Sequence, residues 1–114
     1  MINTSSDNVT PELLERLIEE VLKVPARVWK QTFAALLDYD DVARLPRITA
    51  PTLIVWGEVD PLVGRDMQDQ LIRRIPEAEL VVYSGAAHTP RWDDPTRFSR
   101  DVATFVTDLL HKPG

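Results

Sequence analysis

Two side chains in this sequence are placed to do acid–base chemistry together. Asp60 follows the apolar run Thr52-Leu53-Ile54-Val55-Trp56 by a few residues, and His88 follows Glu79-Leu80-Val81-Val82-Tyr83 in the same way. A carboxylate beside an imidazole orients the ring, fixes its tautomer and stabilises the imidazolium formed when the ring accepts a proton. Each residue also has a plainer reading. Asp60 precedes Pro61 and could cap a turn, and His88 could be an ordinary loop histidine. Their joint position, each just past a strand, favours the paired role. Trp56 and Trp92 flank the same place and could line a substrate pocket, although Trp56 serves equally well as core.

The other reactive types read as structural. Asp94 before Pro95 is a helix cap, and Asp93 reads as solvated. His111 falls in a last helical turn, where a cation suits the helix dipole. Arg73-Arg74 is a solvated helix face. Of the serines, Ser5 and Ser6 lie in a polar terminus and Ser99 in a helix. Ser84 lies near the right sheet edge but has no strand–turn–helix elbow around it. There is no cysteine, which removes thiol nucleophiles, zinc thiolates and disulfides and fits a cytoplasmic protein. No Gly-rich phosphate loop, metal-ligand cluster or dinucleotide fingerprint appears, so neither a metal nor a cofactor is expected.

The elements that must position Asp60 and His88 follow from periodicity. Thr10-Pro11 is an N-cap followed by Pro at the first helical position. Leu13, Leu14, Leu17, Ile18, Val21 and Leu22 then predict an amphipathic helix to about Lys23. After Pro25 a second helix carries Trp29, Phe33, Leu36 and Leu37 on one face, with Trp29 and Phe33 read as core, and ends near Leu37. Residues 41–45 allow one short turn, and Arg47–Ala50 between Pro46 and Pro51 is a linker. The run 52–56 predicts a strand buried on both faces, as in a parallel sheet. A helix over 65–74 follows, with Met67, Leu71, Ile72 and Ile75 turned inward, then a strand over 79–83 and a loop over 84–88. The last helix starts at Asp94-Pro95, with Phe98, Val102, Phe105, Val106, Leu109 and Leu110 as its buried stripe. Strand–helix–strand over about 30 residues is a parallel βαβ unit, so both loops leave one edge of the sheet, where ligands and catalytic groups collect in open α/β sheets. Adjacent strands lie about 4.8 Å apart, which lets Asp60 and His88 meet.

Composition narrows the function. The chain has 114 residues, 13 basic and 18 acidic, for a net charge of −5. Acids and bases number 8 and 6 in residues 1–50 and 10 and 7 in residues 51–114, so no basic arm exists to bind nucleic acid. Met1–Asp7 lacks the basic and apolar regions of a signal peptide. No apolar run approaches the roughly 20 residues of a membrane helix.

At this point the residues resemble a known family. Pro51–Pro61, Ile75-Pro76, Ala78-Glu79-Leu80, Gly85-Ala86-Ala87-His88 and Trp92-Asp93-Asp94-Pro95, with Phe105 near the end, are similar in order and spacing to the C-terminal part of α/β-hydrolase fold enzymes. The resemblance covers about residues 46–110 and implies a partial α/β-hydrolase fold: a parallel βαβα unit over 46–114, preceded by two or three cap-like helices in 1–45. It implies that Asp60 is the triad acid and His88 the triad base. Asp93-Asp94-Pro95 resembles the acidic-Pro start of the family's final helix. Ala87 stands where the family usually has Gly. The family's nucleophile sits on a G-x-S-x-G elbow, and neither that motif nor an oxyanion loop occurs in these 114 residues.

Two functions follow as expectations. One is the C-terminal portion of a hydrolase acting on a small-molecule ester or similar bond, completed by an N-terminal hydrolase segment that brings the nucleophile. The other is a non-catalytic α/β module that self-associates, because two strands make a poor independent sheet with exposed edges.

Overall fold

A computed structural model of the protein describes residues 9–113. Helix α1 (Pro11–Leu22) starts as its cap dictates: Thr10 Oγ1 accepts the Leu13 N–H at 3.3 Å, and Pro11 occupies the first turn. Helix α2 (Ala26–Asp38) follows Pro25 and is tied back to α1 by the Trp29 indole N–H, which donates to Val21 O at 3.3 Å. A 3-10 turn over Val42–Arg47 seats Leu45 in the core and runs through Pro46, one residue into the expected linker.

Strands β1 (Thr52–Gly57) and β2 (Ala78–Tyr83) are parallel neighbours. Helix α3 (Arg65–Arg74) connects them. The register runs from Thr52 opposite Ala78 to Gly57 opposite Tyr83, so the strands end level. A one-turn helix α4 (Pro90–Asp93), absent from the periodicity, follows β2, and α5 (Pro95–His111) closes the fold. Asp94 caps α5 through its carboxylate, which accepts the Arg97 N–H at 3.0 Å.

The core is small: Trp56, Tyr83, Ala86 and Ala87 at the level ends of the strands, with Leu45 of the 3-10 turn and Ile75 at the end of α3. Tyr83 is 2% exposed and anchors α5 by polar contacts. Its hydroxyl donates to Asp101 Oδ2 at 2.7 Å, and the Arg97 guanidinium covers its ring at 3.9 Å. Burial and the bond to Asp101 push its phenol up to about 12.

Several faces expected inside are outside. Phe33 is 53% exposed and Leu37 84%, and Leu36 is exposed with them; Trp29 is half-buried and stacks on Phe33 at 5.8 Å. Met67 is exposed, while the polar Gln68 is buried in its stead. Val102, Val106 and Leu110 of the α5 stripe face solvent, whereas Phe98, Phe105 and Leu109 are half-buried. Both strands are mostly half-buried rather than covered on two faces. The periodicities are right, but a stripe is buried only if another element reaches it, and here too few do. The accessible surface is 8649 Å², against roughly 6,300 Å² for a compact monomer of this mass. The radius of gyration is 16.4 Å, against roughly 13 Å for a compact domain of this length.

Candidate active site

Because β1 and β2 end level, the chain leaves both at one edge, and the two loops are stitched together there. Glu58 N–H donates to Tyr83 O and Val59 N–H to Ala86 O, both at 3.0 Å. Ser84 Oγ donates to Glu58 Oε2 at 2.9 Å. Gly85 turns the second loop with φ +74, a left-handed conformation that glycine adopts without a Cβ penalty.

Asp60 divides its two oxygens between its own turn and His88. Oδ1 accepts the backbone N–H of Leu62 at 2.8 Å and of Val63 at 3.2 Å, the turn-capping role. Oδ2 faces His88 Nδ1 at 2.8 Å. The end of the turn is pinned from below, since the Trp56 indole N–H donates to Val63 O at 2.8 Å. The Asp60 side chain is 5% exposed and that of His88 39%. Burial raises the Asp60 carboxyl, but the bonds from His88, Leu62 and Val63, with the His88 charge, outweigh it, and the net shift is downward. An ionised carboxylate only accepts, so Nδ1 carries a proton in either charge state, and in the neutral ring Nε2 is left as the acceptor. Nε2 has no partner among the described residues.

The lowered Asp60 carboxyl has a stability consequence. A carboxyl depressed in the folded state stabilises the fold above its unfolded value, about 3.9, and that contribution is lost as pH falls through the folded value. Urea titrations of wild type and Asp60→Asn are therefore expected to differ most above the unfolded value and to draw together as pH falls through the lowered folded value. A constant difference across that range would contradict the assignment.

The His88 loop is held at its backbone. Ala86 and Ala87 are buried. A Cβ on Gly57 would stand 1.9 Å from Ala87 O, so the loop passes directly over the end of β1. Ala87 N–H donates to Asp93 Oδ2 at 2.8 Å. Asp93, expected to be solvated, is instead half-buried, because α4 folds its carboxylate back over the loop. Sequence reading missed both contacts. A Gly closing an apolar strand was a usable sign of close approach, but nothing separated Asp93 from the neighbouring cap Asp94.

Of the two readings open to Trp56, the structure shows the buried one: it is 7% exposed and its N–H is engaged. Trp92 is half-buried, with the Arg91 guanidinium 4.3 Å from its ring centre. Ser84 is engaged with Glu58, and Ser99 Oγ donates to Pro95 O at 2.8 Å. His111 is exposed, its Nδ1–H donating to Thr107 O at 2.7 Å. Ser5 and Ser6 lie outside the described residues. Two surface concavities, one beside Tyr39 and Leu45 and one beside Ala78 and Phe105, contain neither Asp60 nor His88. Among the described residues no three His, Asp or Glu side chains gather to hold a metal, and no helix is long and apolar enough to cross a membrane.

Comparison with known proteins gives a family, two relatives and two solved structures. The family described as alpha/beta hydrolase fold matches residues 3–95. A 2-hydroxy-6-oxo-6-phenylhexa-2,4-dienoate hydrolase of Delftia acidovorans is 31% identical over 98 residues, covering 86% of this chain and 31% of the relative. A 2-hydroxy-6-oxononadienedioate/2-hydroxy-6-oxononatrienedioate hydrolase of Cupriavidus pinatubonensis is 38% identical over 64 residues, 56% of this chain and 22% of the relative. Among solved structures, a thermophilic esterase of Thermogutta terrifontis aligns with TM-score 0.57 and 26% identity over 60% of this chain and 25% of its own. A bacterial membrane phospholipase A aligns with TM-score 0.76 over 90% of this chain and 34% of its own, and at 21% identity it shows the fold alone. The chain thus spans no more than about a third of the length of these relatives.

Proposed function

The chain belongs to the alpha/beta hydrolase fold family, and from that premise we propose that it supplies the acid and the base of a hydrolytic triad. The observation that carries this is the 2.8 Å approach of Asp60 Oδ2 to His88 Nδ1 at the shared strand edge. His88 Nε2 takes the proton from a nucleophile hydroxyl as it attacks the substrate carbonyl, and the imidazolium is held by Asp60. The same proton passes to the leaving group, and water repeats the sequence to release the acid. The nucleophile and the oxyanion donors come from an N-terminal hydrolase segment outside these 114 residues. Trp92 borders the substrate. The substrate is a small molecule with a cleavable carbonyl bond, either an ester or, by likeness to the named relatives, a 2-hydroxy-6-oxo-dienoate.

The test is complementation. The chain is mixed with an N-terminal hydrolase segment of the Delftia relative and assayed on an activated ester and on a 2-hydroxy-6-oxo-dienoate. The chain alone is expected to be inactive, the mixture active, and the activity lost on His88→Ala. Activity that survives His88→Ala overturns the assignment.

The second reading, a non-catalytic module that self-associates, is favoured by the exposed apolar side chains of α2 and α5 and the surplus of roughly 2,300 Å² over a compact monomer. Light scattering on the same samples decides it: stable homo-oligomers without hydrolysis in the mixture support it, and a folded monomer removes it.

A further inference from the structure

Ala87, the residue before His88, is held at both its N–H and its C=O, and the hold on the N–H is a carboxylate six residues further along. Ala87 N–H donates to Asp93 Oδ2 at 2.8 Å, and Ala87 O lies against Gly57, where a Cβ would come within 1.9 Å of it. What returns Asp93 to Ala87 is α4. The amides of Trp92 and Asp93 donate to Thr89 O at 2.9 and 3.3 Å, and that of Asp94 to Pro90 O at 3.0 Å. Residues 87–93 thus close into a ring whose final bond, an N–H to a carboxylate, is of the charge-assisted kind. The His88 side chain is tied only through Nδ1 and is 39% exposed, so backbone rather than side-chain packing sets where the ring starts from.

From this geometry we infer that Asp93 is a positioning residue for His88: by holding the Ala87 N–H, it aims Nδ1 at Asp60 and leaves Nε2 open. The inference rests on the hydrolase reading for its functional meaning. Without the carboxylate the Ala87 N–H has no acceptor, and the Ala86–Ala87 peptide, held then only where Val59 N–H meets Ala86 O, tilts about that bond to find water. His88 then leaves Asp60. Asp94 does not replace Asp93, because its side chain is engaged at the Arg97 N–H as the cap of α5.

The experiment uses the full chain, 15N-labelled, with Asp93→Ala, Asp93→Asn and Asp93→Glu. Two signals are read: hydrogen exchange of the Ala87 amide and the imidazole 15N signature of His88, which reports Nδ1–H held by a carboxylate. In Asp93→Ala, Ala87 exchange is expected to quicken about tenfold or more, and the His88 signature to revert to the tautomer mixture of a free ring. Asp93→Asn, which keeps an acceptor without the charge, falls between. Asp93→Glu restores part of both. A His88 signature unchanged in Asp93→Ala overturns the inference even if Ala87 exchange quickens, because a merely structural role would loosen the amide and leave the ring alone. If the alanine variant does not fold, an unchanged His88 signature in Asp93→Asn has the same force. The signature needs no substrate, so its failure is distinct from a failure of hydrolysis in the complementation assay.

Discussion

Alanine at Gly57 is expected to destabilise the chain by about 3 kcal/mol or more and to part His88 from Asp60. The added Cβ would meet Ala87 O at 1.9 Å, Ala86 O at 2.4 Å and Ala86 C at 2.7 Å. All three are backbone atoms, which cannot swing aside as a side chain can. Nor can the loop back away freely. Val59 N–H holds Ala86 O and Asp93 holds Ala87 N–H, so retreat breaks those bonds and carries His88 with it. Gly64 supplies the control. A Cβ there meets only the Asp66 carboxyl, the end of a movable side chain, so Gly64→Ala should stay within about 1 kcal/mol of wild type. Urea melts of both variants, with the His88 imidazole 15N signature, check this. A Gly57→Ala protein with wild-type midpoint and signature would show that the loop does not pass where the structure puts it.

Asp60→Asn in the complemented hydrolase is expected to lower kcat about ten-thousandfold while the chain stays folded. The reason lies in how the two oxygens are divided. Oδ1 already serves two donors, the N–H groups of Leu62 and Val63. In asparagine the amide oxygen takes that place, since an NH₂ cannot accept from them. The NH₂ then faces Nδ1, which must become an acceptor, and the ring proton moves to Nε2. A ring protonated at Nε2 cannot take the nucleophile's proton, so the base is lost with little change in shape. Initial rates at saturating substrate, with circular dichroism as the check on folding, measure the effect. A fall of less than about tenfold would mean that the His88 tautomer does not govern the reaction.

Much of this layout was legible in the residues. Caps and periods are local signals, and Thr10-Pro11, Asp94-Pro95, the apolar runs at 52–56 and 79–83 and the helix over 65–74 formed close to where they were expected. The joint placement of Asp60 and His88 was legible too, because parallel strands joined by one helix must release their loops at the same edge. The periodicity did not show which stripes would find cover. Phe33 and Leu37 stand at good helical spacing and remain exposed, since burial depends on elements far away in sequence. The one-turn α4 is too short to have a period, and it escaped notice for that reason.

Residue order alone determined the two strands, the helix between them, the capped final helix, and an acid and a histidine at one sheet edge, because each depends on neighbours a few positions apart. Tertiary structure alone decided that Asp60 spends one oxygen on its own turn and the other on His88, and that Gly57 must be bare beneath Ala87. It also decided that Asp93 turns inward while Asp94 caps a helix. Those outcomes turn on distances of a few ångströms between loops that approach only after β1 and β2 have paired in register. No spacing along the chain encodes them.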